Sequence, residues 1–183
     1  ALSSGELGAS DLTARKLSAF LGRTTSVLYH HWGSLDGLLM AVAQDGYRVL
    51  AERLAGASSG GLQAVASAFV AFGLEQPVLY WLMFERDYDW AALRKAGHHT
   101  ASPGLALWGR VVDAMRCAGS DEPEADARVL YAGLHGLVSL ARSGRANIGD
   151  LSVSDREAAL ASARRLVERL SAGMTPIPLL EKK

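Results

Sequence analysis

The chain has 183 residues, enough for one or two domains with a substantial core, and its formal net charge is zero. Its apolar fraction of 49% is ordinary for a globular protein, which excludes disorder of the whole chain. No apolar run approaches the ~20 residues of a membrane span, and the single cysteine, Cys117, excludes an internal disulfide. We therefore expect a cytoplasmic protein without a membrane segment.

Helical periodicity runs through the chain, with apolar residues recurring every three or four positions. Leu35, Leu38, Leu39 and Val42 show this pattern at the start of a long stretch. No convincing run of alternating β-branched residues lies between turn signals. The sequence therefore predicts an all-α fold.

The N-terminal region predicts two short helices joined by a tight turn. The segment "LTARKLSAFLG" (12–22) forms the first helix, with Thr13 as N-cap and Gly22 as its end. Arg23 forms the turn, and Thr24 caps a second helix that lasts to about His31. This order of helix, glycine-containing turn and helix is typical of a helix-turn-helix.

The second of these helices carries residue types suited to DNA. In a helix-turn-helix its N-terminal residues face base edges in the major groove, while residues one turn later reach phosphates. All charged residues between positions 12 and 35 are basic. The residues alone leave open a plain helical hairpin, and Leu28 and Trp32 are expected to be core in either case. The predicted DNA contacts are Thr13, Arg15, Arg23, Thr24, Thr25, Ser26, Tyr29 and His30.

The rest of the chain predicts further helices with recognisable starts. Ser34 is a suitable N-cap, and Asp36 is favourable in the first turn that follows it. Ser102 and Pro103 predict an N-cap and a first helical residue, and "SDRE" (154–157) is a capping box. The predicted helices span about 34–54, 62–76, 77–84, 102–118, 120–143 and 154–170.

The N-terminal motifs resemble those of the TetR family of bacterial transcriptional regulators. "GASDLTARKLSAFLG" (8–22) and "RTTSVLYHHWGSLDGLL" (23–39) are similar to the family's Gly-x-x-x-Leu-Thr-x-Arg-x-Leu-Ala and Leu-Tyr-x-His-Phe-x-Ser-Lys-x-x-Leu-Leu segments. "AFVAFGLEQPVLYWLMF" (68–84) and "YAGLHGLVSLARSG" (131–144) are similar to segments of one branch of its ligand-binding domains, with Tyr131 in place of a tryptophan.

This resemblance implies a domain organisation and a function. We expect a helix-turn-helix DNA-binding domain in residues 1–45, a helical ligand-binding and dimerisation domain in residues 46–175, and a tail in residues 176–183. The family implies a homodimer that binds a palindromic operator on double-stranded DNA, represses transcription, and releases the operator when a small-molecule effector binds.

The chain departs from the family pattern in three places. Arg23 replaces a valine that is usually buried, so its charge is expected to snorkel or to face DNA. Leu35 replaces a lysine beside the start of the long helix, which removes one phosphate contact. The segment "ALSSGEL" (1–7) matches only the last part of the family's first helix, so that helix is expected to be truncated.

The resemblance also implies an effector pocket and a dimer interface. A pocket of this kind is mostly apolar and aromatic, so we expect an uncharged or weakly polar effector, apolar or aromatic, with His135 as its polar anchor. The alternative is that these side chains only pack. The predicted pocket residues are Phe69, Trp81, Phe84, Trp90, Trp108, Met115, Tyr131 and His135.

Two helical stripes predict the dimer interface. One stripe consists of small residues on the helix that begins near residue 121, and the other lies on the last helix, so that two helices from each subunit form a four-helix interface. The alternative is that both stripes face the subunit's own core. The predicted residues are Ala132, Gly136, Ser139, Ser143, Ala159, Ala163, Leu166 and Leu170.

The sequence leaves two rival functions to consider. An enzyme is disfavoured because no histidine follows a glutamate by three positions, as a di-iron bundle needs, and because no phosphate-binding glycine loop is present. We therefore predict no catalytic residues, no metal and no cofactor. The second rival is a helical small-molecule-binding protein whose DNA-binding element is weakened or lost, which the departures at Arg23 and Leu35 would suit.

Overall fold

The computed structural model describes residue 8, residues 12–95, residue 97, residues 101–172 and residue 174, without the side chains of residues 101 and 102. Regular structure in these residues is helical throughout, which confirms the predicted all-α fold. The predicted tail and residues 1–7 lie outside the described residues. The helices are α1 (Ala14–Phe20), α2 (Thr25–Trp32), α3 (Leu35–Ala57), α4 (Gly61–Glu75), α5 (Pro77–Phe84), α6 (Trp90–Lys95), α7 (Ala101–Cys117), α8 (Pro123–Arg142) and α9 (Asp155–Ser171).

The chain divides into two compact units. The first unit contains the described residues up to 49 and those within 76–105, and the second contains residues 50–75 and the described residues from 106 onward. Helix α3 contributes residues to both units because it runs across the boundary between positions 49 and 50. The division into functional domains at positions 45 and 175 stays a prediction.

Several helices begin where the sequence predicts because a side chain satisfies a free backbone N–H group. The Thr13 hydroxyl accepts a hydrogen bond from the Lys16 N–H at 3.3 Å, and the Ser34 hydroxyl accepts one from the Gly37 N–H at 2.9 Å. Ser154 opens α9 with the predicted capping box. These three caps explain the starts of α1, α3 and α9.

Two predicted caps differ from the structure. Thr24 precedes α2 in an extended conformation, but its side chain makes no capping hydrogen bond. Helix α7 begins at Ala101, so Ser102 lies in the first turn and is not the N-cap. Pro103 is accommodated in that turn because first-turn N–H groups have no intrahelical acceptor to lose.

The core of the second unit is built where α4, α8 and α9 pack against one another. Each helix turns one apolar stripe inward, as the periodicity predicts. On α8 the inward stripe is buried from Ala127 to Val138. The buried residues of the three helices are Leu62, Val65, Ala66, Phe69, Val70, Phe72, Gly73, Ala127, Leu130, Leu134, Val138, Ala159, Ala163 and Val167.

One helical stretch, residues 35–75, contains an 18-residue window of mean hydropathy 1.3, which by length and composition could cross a membrane. Core helices of globular proteins pass the same test, and 39% of this window is buried inside the structure. A short 3₁₀ turn, Ser58–Gly60, separates α3 from α4 within the stretch. The finding does not indicate a membrane protein.

Candidate functional site

The α1–α2 pair is closed by a four-residue turn with defined hydrogen bonds. The Ser18 hydroxyl is buried and donates to the Ala14 carbonyl at 2.6 Å, while the Ser18 carbonyl accepts from the Arg23 N–H at 2.9 Å. Gly22 has a φ of +61°, which glycine adopts without steric cost. The two helices contact each other, so the turn holds α2 against α1.

Helix α2 has one buried side and one exposed side. Leu28 is only 4% exposed and Trp32 is half-buried, so the expectation that Leu28 is core is confirmed. Tyr29 is 49% exposed on the other side. All of the predicted DNA contacts have exposed side chains, which leaves them accessible to a ligand: Thr13, Arg15, Arg23, Thr24, Thr25, Ser26, Tyr29 and His30. Their contact with DNA stays a prediction.

The basic residues of this region point into solvent. Arg15 and Arg23 are exposed, and neither forms an ion pair with a described residue. Arg23 is therefore not forced into the core, although it occupies a position where an apolar residue was expected. Leu35, at the start of α3, is half-buried. Among the described residues, Arg15 and Arg23 thus present positive charge to solvent in the same helix pair as the exposed hydroxyls of α2.

In the first unit, an aromatic cluster surrounds the end of α5. The Phe84 ring lies 4.7 Å from the Tyr80 ring and 5.4 Å from the Tyr47 ring, measured between centroids. The Tyr47 hydroxyl donates to the Met83 carbonyl. Phe84, a predicted pocket residue at the end of α5, thereby packs against Tyr47 of α3 and Tyr80 of its own helix.

Arg86 occupies the segment between α5 and α6 among aromatic rings and a carboxylate. Its Nη2 donates to Asp36 Oδ1 at 2.7 Å. Its guanidinium carbon lies 5.5 Å from the Trp81 ring centroid and 5.2 Å from that of Tyr88, within cation–π range. Its Nε is buried and has no hydrogen-bond acceptor among the described residues.

Tyr88 provides the second aromatic ring beside the Arg86 guanidinium. Its hydroxyl donates to the Leu82 carbonyl at 3.0 Å, and its ring lies 5.4 Å from that of Trp90. Burial raises the pKa of Tyr88 well above its usual value, although the neighbouring Arg86 charge acts in the opposite direction. Tyr88 is therefore a neutral hydrogen-bond donor at physiological pH.

In the second unit, α4 and α8 bring three predicted pocket residues together. The Phe69 ring lies 5.9 Å from the Tyr131 ring at 81°, and the Tyr131 ring stacks on His135 at 6.0 Å and 13°. Burial raises the pKa of Tyr131. Phe69 is almost completely buried, whereas Tyr131 and His135 are half-buried, so a phenol and an imidazole are the polar groups of this cluster. Its contact with an effector stays a prediction.

The remaining predicted pocket residues are more dispersed. Met115 is fully buried, and Trp108 lies under the Arg128 guanidinium at 5.9 Å. Phe69, Trp108, Met115, Tyr131 and His135 belong to the second unit, and the other three predicted residues, Trp81, Phe84 and Trp90, belong to the first. Their assembly into one pocket stays a prediction.

The structure separates the two stripes predicted for the dimer interface. On α8, Ala132 and Ser139 are exposed, and an added Cβ at Gly136 would meet no atom within 4 Å. Ser143, the C-cap residue of α8, is also exposed. Val129, 53% exposed, and Leu140 extend this surface with larger apolar side chains.

The stripe on α9 faces inward and corrects part of the prediction. Ala159 and Ala163 are fully buried within the subunit, so they cannot meet a second copy. Leu166 packs against Gly133 of α8, where a Cβ would overlap it, and Leu170 is half-buried. These alanines are small because α9 packs closely on α4 and α8.

Among the described residues, no three His, Cys, Asp or Glu side chains are grouped as a metal site would need. The sequence analysis missed Arg86, Asp36 and Tyr88 as an assembled group. The only signal for it was "ERDYD" (85–89), a charged and aromatic run directly after an apolar helix.

Comparison with known proteins adds to this geometry. The model of the family described as "Tetracyclin repressor-like, C-terminal domain" matches residues 62–170. The structure of the candidate regulatory protein SCO4313 superimposes with a TM-score of 0.67 at 21% identity, covering 90% of this chain and 89% of that one. The structure of a protein of unknown function from Rhodococcus sp. RHA1 gives 0.63 at 21% identity, covering 94% and 93%. No match was found among curated protein sequences.

Proposed function

Because this chain belongs to the tetracyclin repressor-like (TetR) family of transcriptional regulators, we propose that it is a ligand-responsive repressor of the bacterial cytoplasm. It acts as a homodimer on a palindromic operator and is released from DNA by a small-molecule effector. It catalyses no reaction and requires no metal or cofactor.

One observation carries the DNA-binding part of this proposal: the N-terminal half of α2 is exposed, while its opposite side is anchored in the core by Leu28. Thr24, Thr25 and Ser26 lie there, and small hydroxyls allow a helix to approach base edges closely. The Thr24 hydroxyl is not consumed by capping, so it keeps its capacity to donate and accept. Arg23 supplies a neighbouring charge for the phosphates.

The release mechanism is a shift between two dimer conformations. An effector that prefers the conformation in which the two α2 helices are no longer about 34–36 Å apart lowers the affinity for the operator. The rings of Phe69, Tyr131 and His135 support an effector with an apolar or aromatic body and one polar group.

The selection of bound fragments from genomic DNA, at low and at physiological salt, tests the proposal. We expect a palindrome whose half-sites lie one helical turn apart, with binding that falls steeply as salt rises. Thr25→Asp should abolish the selection without unfolding the protein, because an acid is favourable in the first turn of a helix but repels phosphates. Ala106→Asp, at an exposed position on α7, is the matched control and should select the same palindrome.

A second function is favoured by one observation. Leu35 stands half-buried where the family pattern has a lysine, so one phosphate contact is missing. A protein that only binds a small molecule would select no DNA fragment even at low salt, and Leu35→Lys would not restore selection. A palindrome recovered by the wild-type chain contradicts this second function.

A further inference from the structure

The ion pair between Arg86 and Asp36 joins two chain segments separated by 50 positions, both in the first unit. Arg86 follows the end of α5, where its own N–H donates to the Trp81 carbonyl at 2.8 Å. The side chains are only 21% and 33% exposed, and the guanidinium is flanked by the rings of Trp81 and Tyr88. The pair is therefore better shielded and less mobile than an ordinary surface pair.

Asp36 lies in the first turn of α3, a position with two consequences. Its carboxylate interacts favourably with the N-terminal end of the helix, next to the cap that Ser34 provides for the Gly37 N–H. Arg86 therefore holds the start of α3 by pairing with Asp36, a side chain of the first turn of α3.

The start of α3 is almost rigidly joined to α2. Only Gly33 and Ser34 separate Trp32, the last residue of α2, from Leu35, the first of α3. The Gly33 N–H donates to the Tyr29 carbonyl at 2.9 Å and the Ser34 N–H to the Trp32 carbonyl at 2.8 Å. So short a connection leaves α2 little freedom once the first turn of α3 is fixed.

We propose that Arg86 is a positioning residue for DNA binding: its ion pair with Asp36 fixes the first turn of α3, and through it α2, to the end of α5. The inference rests on the proposed function only in that α2 binds DNA. The guanidinium is held by one Asp36 oxygen and two rings, and its Nε has no hydrogen-bond partner among the residues that the structure describes.

Amide hydrogen exchange of residues 25–36 in the free protein tests the positioning role without DNA. Arg86→Gln should accelerate exchange in α2 and the first turn of α3 about tenfold relative to α8 and α9, the loss expected for one charge-assisted hydrogen bond. Arg86→Lys keeps the charge and should restore most of the protection. The matched control is Arg53→Gln, which breaks the 2.8 Å pair with Glu75 in the second unit and should leave residues 25–36 unchanged.

The same variants, measured on the selected operator, give a second readout. Arg86→Gln and Asp36→Asn should each weaken binding about tenfold, and the double variant should be no weaker than either, because both remove one interaction. Unchanged exchange in α2, or equal acceleration in α2, α8 and α9, would overturn the inference. If the wild-type chain selects no DNA, the proposed function fails, while the exchange measurement still decides whether Arg86 positions α2.

Discussion

Gly46 of α3 lies against Met83 of α5: a Cβ at position 46 would stand 2.6 Å from the Met83 sulfur. The same Cβ would be 2.8 Å from a terminal carbon of Leu79, so two side chains of α5 close over one glycine. Because glycine has no side chain, the side chains of Met83 and Leu79 pack directly against the backbone of α3. The same two helices also meet at Phe84 of α5, whose ring lies against Tyr47 of α3.

Gly46→Ala should therefore destabilise the protein, although alanine favours a helix more than glycine does. Overpacking costs about 1–3 kcal/mol, which exceeds the roughly 0.5–1 kcal/mol gained in helix propensity. Gly56→Ala, in the last turn of the same helix, meets no atom within 4 Å and should be neutral or slightly stabilising. Urea unfolding measures both, and a stabilised Gly46→Ala variant would contradict the close packing.

The exposed residues of α2 predict two kinds of loss in operator binding. Arg23→Gln should reduce the slope of log affinity against log salt by about 1, because one phosphate charge is no longer neutralised. Tyr29→Phe removes a neutral hydroxyl and should weaken binding about fivefold without changing that slope.

His30 and His31 provide a matched pair for the same assay. They are adjacent and both exposed, but point in different directions on α2, and only His30 is a predicted contact. His30→Ala should weaken binding, and His31→Ala should not. Equal effects of the two substitutions would refute the orientation assigned to α2, and circular dichroism would check that each variant keeps its helices.

Local signals in the sequence were sufficient to predict the helices and the positions of several helix ends. Thr13, Ser34 and Ser154 cap as predicted because an N-cap depends on residues only three positions away. Burial of Leu28 likewise follows from helical periodicity alone. These features are set within one or two turns of chain.

Contacts between residues that are far apart in the sequence could not be predicted from such local signals. The stripe of Ala159 and Ala163 shows that one side of α9 is apolar, but the same stripe suits a dimer interface and the subunit's own core. The pairing of Asp36 with Arg86 depends on how α3 and α5 are placed, which periodicity does not specify.

Glu75 predicts a pH dependence of stability. It accepts hydrogen bonds from Arg53 at 2.8 Å and from Arg156 at 3.2 Å, and the Arg53 bond is the largest cause of its lowered pKa. A carboxylate with a lowered pKa in the folded state stabilises the fold above its ordinary pKa of 4.5, and this contribution is lost as the pH falls through the folded value.

Glu75→Gln should therefore reduce the free energy of unfolding by no more than about 1 kcal/mol at pH 7, since the partners are partly exposed. The difference from the wild-type chain should shrink as the pH falls through the lowered pKa of Glu75 in the folded state and vanish below it, where both carboxyl and amide are neutral. Glu168→Gln, which removes a single exposed pair with Arg165, should have a smaller effect. A difference that persists in acid would mean that the side chain acts by packing and not by charge.

The ring cluster of the second unit predicts effector recognition. His135→Ala should weaken binding of the effector about tenfold, the effect of one lost polar contact, and leave operator affinity unchanged. Tyr131→Phe keeps the ring packed against Phe69 and isolates the contribution of the hydroxyl. Binding is measured by titrating the protein with a panel of apolar and aromatic compounds and following its tryptophan fluorescence. If every compound binds both variants as it binds the wild-type chain, the effector site lies elsewhere.

The surface of α8 predicts where two subunits meet. Val129, Ala132, Gly136 and Leu140 recur every three or four positions, so they lie on one side of the helix, and none of them is fully buried within the subunit. Ala132→Arg places a charge in the middle of this stripe and should convert the dimer to a monomer in light scattering, because a buried unpaired charge is costly. Ala106→Arg, exposed on α7, is the matched control and should stay dimeric. If the Ala132→Arg variant stays dimeric, this side of α8 is not the dimer interface. If the wild-type chain is a monomer, a palindromic operator is no longer expected.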